Sequence, residues 1–229
     1  MILWVRRAAL VILLGLGAWH AAQGLYIEGK ARLAQHLVLR AWRAARAGAN
    51  HARPWPWADT EPVARLVVPR RHVDLVILAG ASGRTLAFGP GHLTGTPLPG
   101  EEGNAVVSGH RDTHFSFLSR LEPGDELAVE RRDGRWRRYV VTGAEVVDRS
   151  EMRLLRHTGD TRLTLITCYP FATLRPGGPL RYVVTALLDG YQRRSDGEPI
   201  LPDGSGDDSR QRSGAGESGP FGLSSAPSA

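Results

Sequence analysis

Cys168 is the only cysteine in 229 residues, and it ends the apolar run TRLTLIT. A lone thiol between such a run and the loop YPFATLRPGGPL is either an inert packed side chain or a nucleophile. A nucleophilic thiol needs a partner that moves protons, and histidine is the usual one. Among eight histidines, His110 fits best: it ends a second apolar run, NAVVSGH, and is followed by Arg111 and Asp112. His114 is the near competitor, and His92, in the loop GPGHL, is weaker. Attack on an acyl carbon develops an oxyanion that needs a donor. Arg181 opens the run RYVVTALL and Arg175 lies in the loop before it, so either could supply that donor. Together these are the residue types that attack on an acyl carbon would need.

Such residues meet only if strands carry them to a common edge. From Val63 to about Leu188 the chain alternates short runs rich in Val, Ile, Leu and Tyr with Gly, Pro, Asp and Asn clusters. The runs are RLVVP, HVDLVILAG, NAVVSGH, DELAVERR, WRRYVVTGAEVV, TRLTLITC and LRYVVTALL. Asp133-Gly134 between two of them signals a hairpin. Only the short piece FSFLSRL reads as helical there, which predicts an all-β barrel or sandwich rather than a parallel α/β sheet. Two strands ending at one rim would set His110 beside Cys168.

The flanks differ from this core. Arg6 and Arg7 precede an apolar stretch from Ala8 to about Ile27, interrupted by His20 and Gln23. About twenty residues suffice for a spanning helix, and Trp19 and Tyr26 suit the interface, so residues 1–27 are expected to be an uncleaved anchor. A short N-terminal tail favours N-in topology with the bulk outside, although Lys30, Arg32, Arg40, Arg43 and Arg46 pull the other way. Residues 28–62 read as a stalk helix and a Pro/Trp linker, with Leu33, Leu37, Ala41 and Ala44 on one helix face. The tryptophans of RPWPWADTEP are expected to cover an edge of the next domain. Residues 63–190 form the core domain, and 191–229, rich in Ser, Gly, Asp, Pro and Arg, are expected to be disordered. The net charge of +6 is nearly all arginine, scattered rather than striped, which argues against nucleic acid as a partner.

The chain resembles the sortase family of membrane-anchored cysteine transpeptidases. Thr164, Leu165, Thr167 and Cys168 match its TLxTC motif, His110 in SGHRD takes the place of its histidine, and Arg181 follows the cysteine by thirteen residues. The extension CYPF, the segment PWPWADTEPVARL and the Arg-rich stalk are most similar to class D-like and class GN sortases of Gram-negative proteobacteria. The resemblance implies a closed β-barrel of about eight strands with the site at one rim. It implies that Cys168 attacks a carbonyl in an LPxTG-like C-terminal sorting signal, that His110 moves protons and that Arg181 holds the substrate backbone and oxyanion. Thr167 and Tyr169 would position substrate. An amine acceptor would resolve the thioacyl enzyme, with no cofactor or metal. The expected location is the inner (plasma) membrane, with the catalytic domain periplasmic. Two other readings compete. One is an L,D-transpeptidase-like Cys-His enzyme, although that family keeps its cysteine in an SHGC-like stretch. The other is a membrane-tethered β-barrel binding module, or an inactive relative, with an incidental cysteine.

Overall fold

The computed structural model describes residues 2–156, 159–173, 177–190, 192–193 and 199–200. After a long N-terminal helix, α1 (Ile2–Arg46), come β1 (Pro62–Val68), β2 (Val73–Ala79), a single helical turn α2 (Gly83–Leu86), β3 (Gly91–His92) and β4 (Asn104–Ser108). Then follow β5 (Glu126–Arg131), β6 (Trp136–Asp148), β7 (Arg162–Cys168) and β8 (Leu180–Leu188). The eight strands close into a barrel in the order β1-β2-β3-β4-β7-β8-β6-β5. This is the expected barrel. Only β3 had no sequence signal, because two residues are too few to show an alternation.

Alternation explains the closure. Ala64, Leu66 and Val68 of β1, Ala105 and Val107 of β4, and Leu127 and Val129 of β5 belong to one buried cluster. Leu163 and Leu165 of β7, Val184 and Ala186 of β8, Ile77 of β2 and Tyr139 and Val141 of β6 join them. Residues two apart share one face, so each strand sends every second side chain into this core. Phe115, Phe117 and Leu118, around the short turn Ser116–Arg120, fill the same core. At the β5–β6 hairpin, Gly134 takes φ +85°, which suits glycine, and the Asp133 carboxylate accepts from the Arg135 N–H.

The helix is not a free stalk. Val38, Trp42 and Ala45 pack with Val76 and Leu78 of β2 and with Ala52 in a second cluster. With buried Ala41, they follow the 3- and 4-residue steps of one helix face. This corrects the expected face: Leu33 is exposed and Ala44 too, because the large ring of Trp42 sets which side turns inward. Arg46 ends the helix and pairs with Glu130 of β5, a buried carboxylate that Arg65 also holds at 3.1 Å. Of the linker tryptophans only Trp55 covers the domain, edge-to-face on Phe88; Trp57 is 82% exposed. Among the described residues no helix is long and apolar enough to cross a membrane. Gly15, Gly17, His20, Gln23 and Gly24 dilute the apolar run within α1. Gln192–Arg193 and Pro199–Ile200 pair as a separate two-stranded ribbon, where no order was expected; the rest of the tail lies outside the described residues.

Trp42→Ala should cost about 3–5 kcal/mol of helix docking, as large aromatic truncations do. Because the Trp42 cluster is separate from the barrel core, protease cleavage in 47–61 should rise before the barrel melts. A single cooperative loss of both, at an unchanged midpoint, would show that the helix adds nothing.

Candidate active site

Strands β4 and β7 are parallel neighbours, with Ser108 level with Ile166. The Gly109 N–H donates to the Ile166 carbonyl at 3.1 Å, carrying the ladder one residue past β4. His110 is the next residue, so it comes level with Cys168. On the other side β7 runs antiparallel to β8, and Cys168 pairs with Arg181. Histidine, cysteine and arginine thus stand abreast at the ends of three adjacent strands, with the cysteine in the middle. Leu163 and Leu165 mark the inward face of β7, which Thr167 continues, so Cys168 and its partner Arg181 take the outward face. The site therefore opens on the outside of the barrel, at the strand ends.

The histidine turn is clamped on both sides. The buried hydroxyl of Thr167, which is 2% exposed, donates to the Gly109 carbonyl at 2.7 Å. The Phe115 N–H donates to the His110 carbonyl at 3.0 Å. Phe115 is fully buried, and a Cβ on Gly109 would stand 2.7 Å from its ring. Only glycine lets the chain run so close over that ring. The imidazole of His110 is exposed while its backbone is fixed, and Cys168 is half-buried. Thr167 thus ties the cysteine strand to the histidine strand.

Arg181 is half-buried, and its Nη1 donates at 2.8 Å to the carbonyls of Gly178 and Leu180. These bonds orient the guanidinium at the strand start, beside the cysteine. Arg175 lies outside the described residues. Tyr169 stacks on Tyr182 at 6.3 Å, and Phe171 meets Tyr182 edge-on at 5.2 Å. Phe171 and Tyr182 also pack on the barrel core, so this aromatic group closes the barrel end beside the thiol.

The other histidines sort themselves out. His92 is buried, its Nε2 within 3.1 Å of Thr96 and Pro97 oxygens, where it ties a loop. His114 is half-buried, and burial, then the charge of His110, holds its imidazole below the usual value. It sits near the histidine turn but favours its neutral form. Asp112 is held below the usual carboxylate range, chiefly by a hydrogen bond from Arg111 and further by the charges of Arg111 and His110. Sequence reading passed over Arg111, which is buried and donates to Asp112, to the Pro170 carbonyl and to the Thr173 carbonyl. It also missed Phe115 and Tyr182. The signal for Phe115 was local: a glycine just before the histidine and a phenylalanine five residues after it.

Comparison with known proteins points one way. The family model for the sortase domain matches residues 66–189. Sortase D of Bacillus subtilis (strain 168) is 34% identical over 121 residues, 52% of this chain. This chain spans only 60% of the length of that relative. The Sortase D5 transpeptidase of Clostridium perfringens superposes with a TM-score of 0.50 at 27% identity, over 56% of this chain and 79% of that one. Sortase A from Corynebacterium diphtheriae gives 0.52 at 29% identity, over 58% and 62%.

Gly109→Ala should destabilise the protein by about 1–3 kcal/mol, as overpacking of a full core does. Gly143→Ala, where a new Cβ meets nothing within 4 Å, is the control. Thermal unfolding compares them, and equal midpoints would mean that the Phe115 ring yields without cost.

Proposed function

The chain belongs to the sortase family, and from that premise we propose that it is a cysteine transpeptidase acting on proteins with a C-terminal sorting signal. What supports this reading is the register: Cys168 pairs with Arg181 on β8, and the β4–β7 ladder, carried on by the Gly109 N–H to the Ile166 carbonyl, runs straight into His110. The thiolate of Cys168, its proton held on His110, attacks the carbonyl carbon of the scissile amide. The oxyanion that develops is met by the guanidinium of Arg181, whose planar fork carries further donors beyond Nη1. As the C–N bond breaks, His110 gives its proton to the leaving amine, and a thioester remains on Cys168. An acceptor amine then attacks the thioester, loses a proton to His110, and the thiolate leaves as the new amide forms. Atoms and charges balance with no cofactor. Thr167 contributes by tying the histidine strand to the cysteine strand, and Tyr169 by shaping the wall beside the thiol.

The sorting signal in this reading is LPxTG-like, and the subtype is the class GN or class D-like branch, supported by the CYPF extension and the Trp/Pro segment before the barrel. We place the protein at the inner membrane with its barrel in the periplasm. Exposed Leu13, Leu14, Trp19 and Leu25 on the part of α1 before the docked face support this placement, because that much bare apolar surface needs cover. Alkaline extraction and protease protection of whole cells test it. The barrel should stay with the membrane and be digested only after the outer membrane is opened; a barrel shielded in the cytoplasm overturns the topology.

Intact mass of the full chain, solubilised in detergent and incubated with pooled LPxTG-like peptides, tests the reaction. The expected result is a mass gain equal to the N-terminal peptide piece, absent in Cys168→Ala and released by an added amine. Cys168→Ala and His110→Ala should each lower turnover by at least about a thousandfold. Arg181→Lys should lose roughly a hundredfold, because a point charge cannot replace the fork. Wild-type turnover in any of the three sinks the assigned role.

A further inference from the structure

Arg111 is 6% exposed, so it cannot reach a substrate, yet its guanidinium spans two parts of the site. Nε and Nη2 donate to the Asp112 carboxylate at 2.7 and 2.9 Å. Nη1 donates to the Pro170 carbonyl at 2.6 Å and Nη2 to the Thr173 carbonyl at 3.1 Å. Asp112 belongs to the histidine turn; Pro170 and Thr173 belong to the segment leaving Cys168. The two carbonyls bracket Phe171 and Ala172, so the segment is gripped on both sides of the ring that packs against Tyr182. Its base is closed by the Tyr169 N–H, which donates to the Leu180 carbonyl at 3.1 Å.

We propose that Arg111 is a positioning residue for the transpeptidase reaction: it straps residues 169–173 to the histidine turn, so the wall beside Cys168 is set before substrate arrives. The inference rests on the transpeptidase reading of the site. The residue type follows from the geometry. A planar guanidinium serves a carboxylate with one edge and two carbonyls with its remaining N–H groups, whereas an ammonium has neither the reach nor the fork. Asp112 balances the buried charge and aims the fork, which a lone buried cation would lack.

The test uses the full chain in detergent, as wild type, Arg111→Lys and Arg111→Gln. Chymotrypsin, with mass spectrometry, reads the rate of the cut after Phe171 in the native protein. Both variants should be cut there at least about tenfold faster while other sites keep their rates. With a pooled LPxTG-like peptide as substrate, kcat should fall at least about tenfold and KM move less than about threefold, as misplacing a reacting group does. A Phe171 cut rate within about twofold of wild type in both variants overturns the strap. So does a faster cut with unchanged kcat, or a loss confined to KM. If both variants lose protection across the whole barrel, Arg111 is part of the fold and the proposal fails. If wild type transfers no peptide, the transpeptidase reading fails on its own, and the Phe171 cut rate still decides whether the strap exists.

Discussion

The register between β4, β7 and β8 is the constraint on which the rest depends. A closed barrel leaves no strand free to slip, because each is paired on both sides. A one-residue slip of β7 would turn Leu163 and Leu165 outward and drive Cys168 toward the core, exchanging apolar burial for a buried thiol. Core packing on one face thus fixes where the thiol stands on the other. The same register pairs Arg181 with Cys168 on one side and, through the Gly109 N–H on the Ile166 carbonyl, leads β4 into His110 on the other. No side-chain contact among the three is needed to hold the strand ends, which leaves the imidazole exposed.

Around this frame several polar groups hold the backbone in place. Thr167 spends its hydroxyl on the Gly109 carbonyl, and Arg181 spends one nitrogen on the loop before it. Arg111 spends its whole buried head on Asp112 and the segment after the cysteine. Burying such groups would cost several kcal/mol each if they were unpaired, so each is retained only with partners. The consequence is a backbone fixed on both sides of His110 and just beyond Cys168. Geometry of this kind is worth more to an acyl transfer than an extra contact to the ground state, because only the transition state benefits from it.

Much of this was legible in the sequence for physical reasons. Alternating strands such as LRYVVTALL announce themselves because one face is buried and the other is not. Cys168, His110 and Arg181 could be singled out because each ends or opens such a run. What was hidden had no periodicity to betray it. The two-residue strand β3 makes its ladder with Gly91 and His92 alone. The helix face shifted by one residue because the pattern of Leu and Ala weighs less than the single large ring of Trp42. Arg111 could not be separated from other arginines by type, since its role comes from carbonyls 59 and 62 residues away.

The docked helix gives the molecule a direction. From Val38 to Arg46 α1 is held to the barrel by the Trp42 cluster and by the Arg46–Glu130 pair. Before Val38 it continues without a break to Ile2. At 1.5 Å per residue the stretch before Val38 is roughly 50 Å long, and about 15 Å of it lies between Ile27 and the docked face, where Gln35 donates to the Phe88 carbonyl at 2.8 Å. A continuous helix with no hinge keeps that distance fixed, unlike a flexible linker, whose ends wander as the square root of its length. Whatever holds the N-terminal segment therefore also sets the height and facing of Cys168. The ion pair matters here more than its own energy suggests. Glu130 is buried and bonded by Arg46 and Arg65 together, so undocking the helix would leave a buried carboxylate with one partner fewer. That penalty couples the orientation of the helix to the integrity of β5, and through the closed barrel to the strand ends that carry the site.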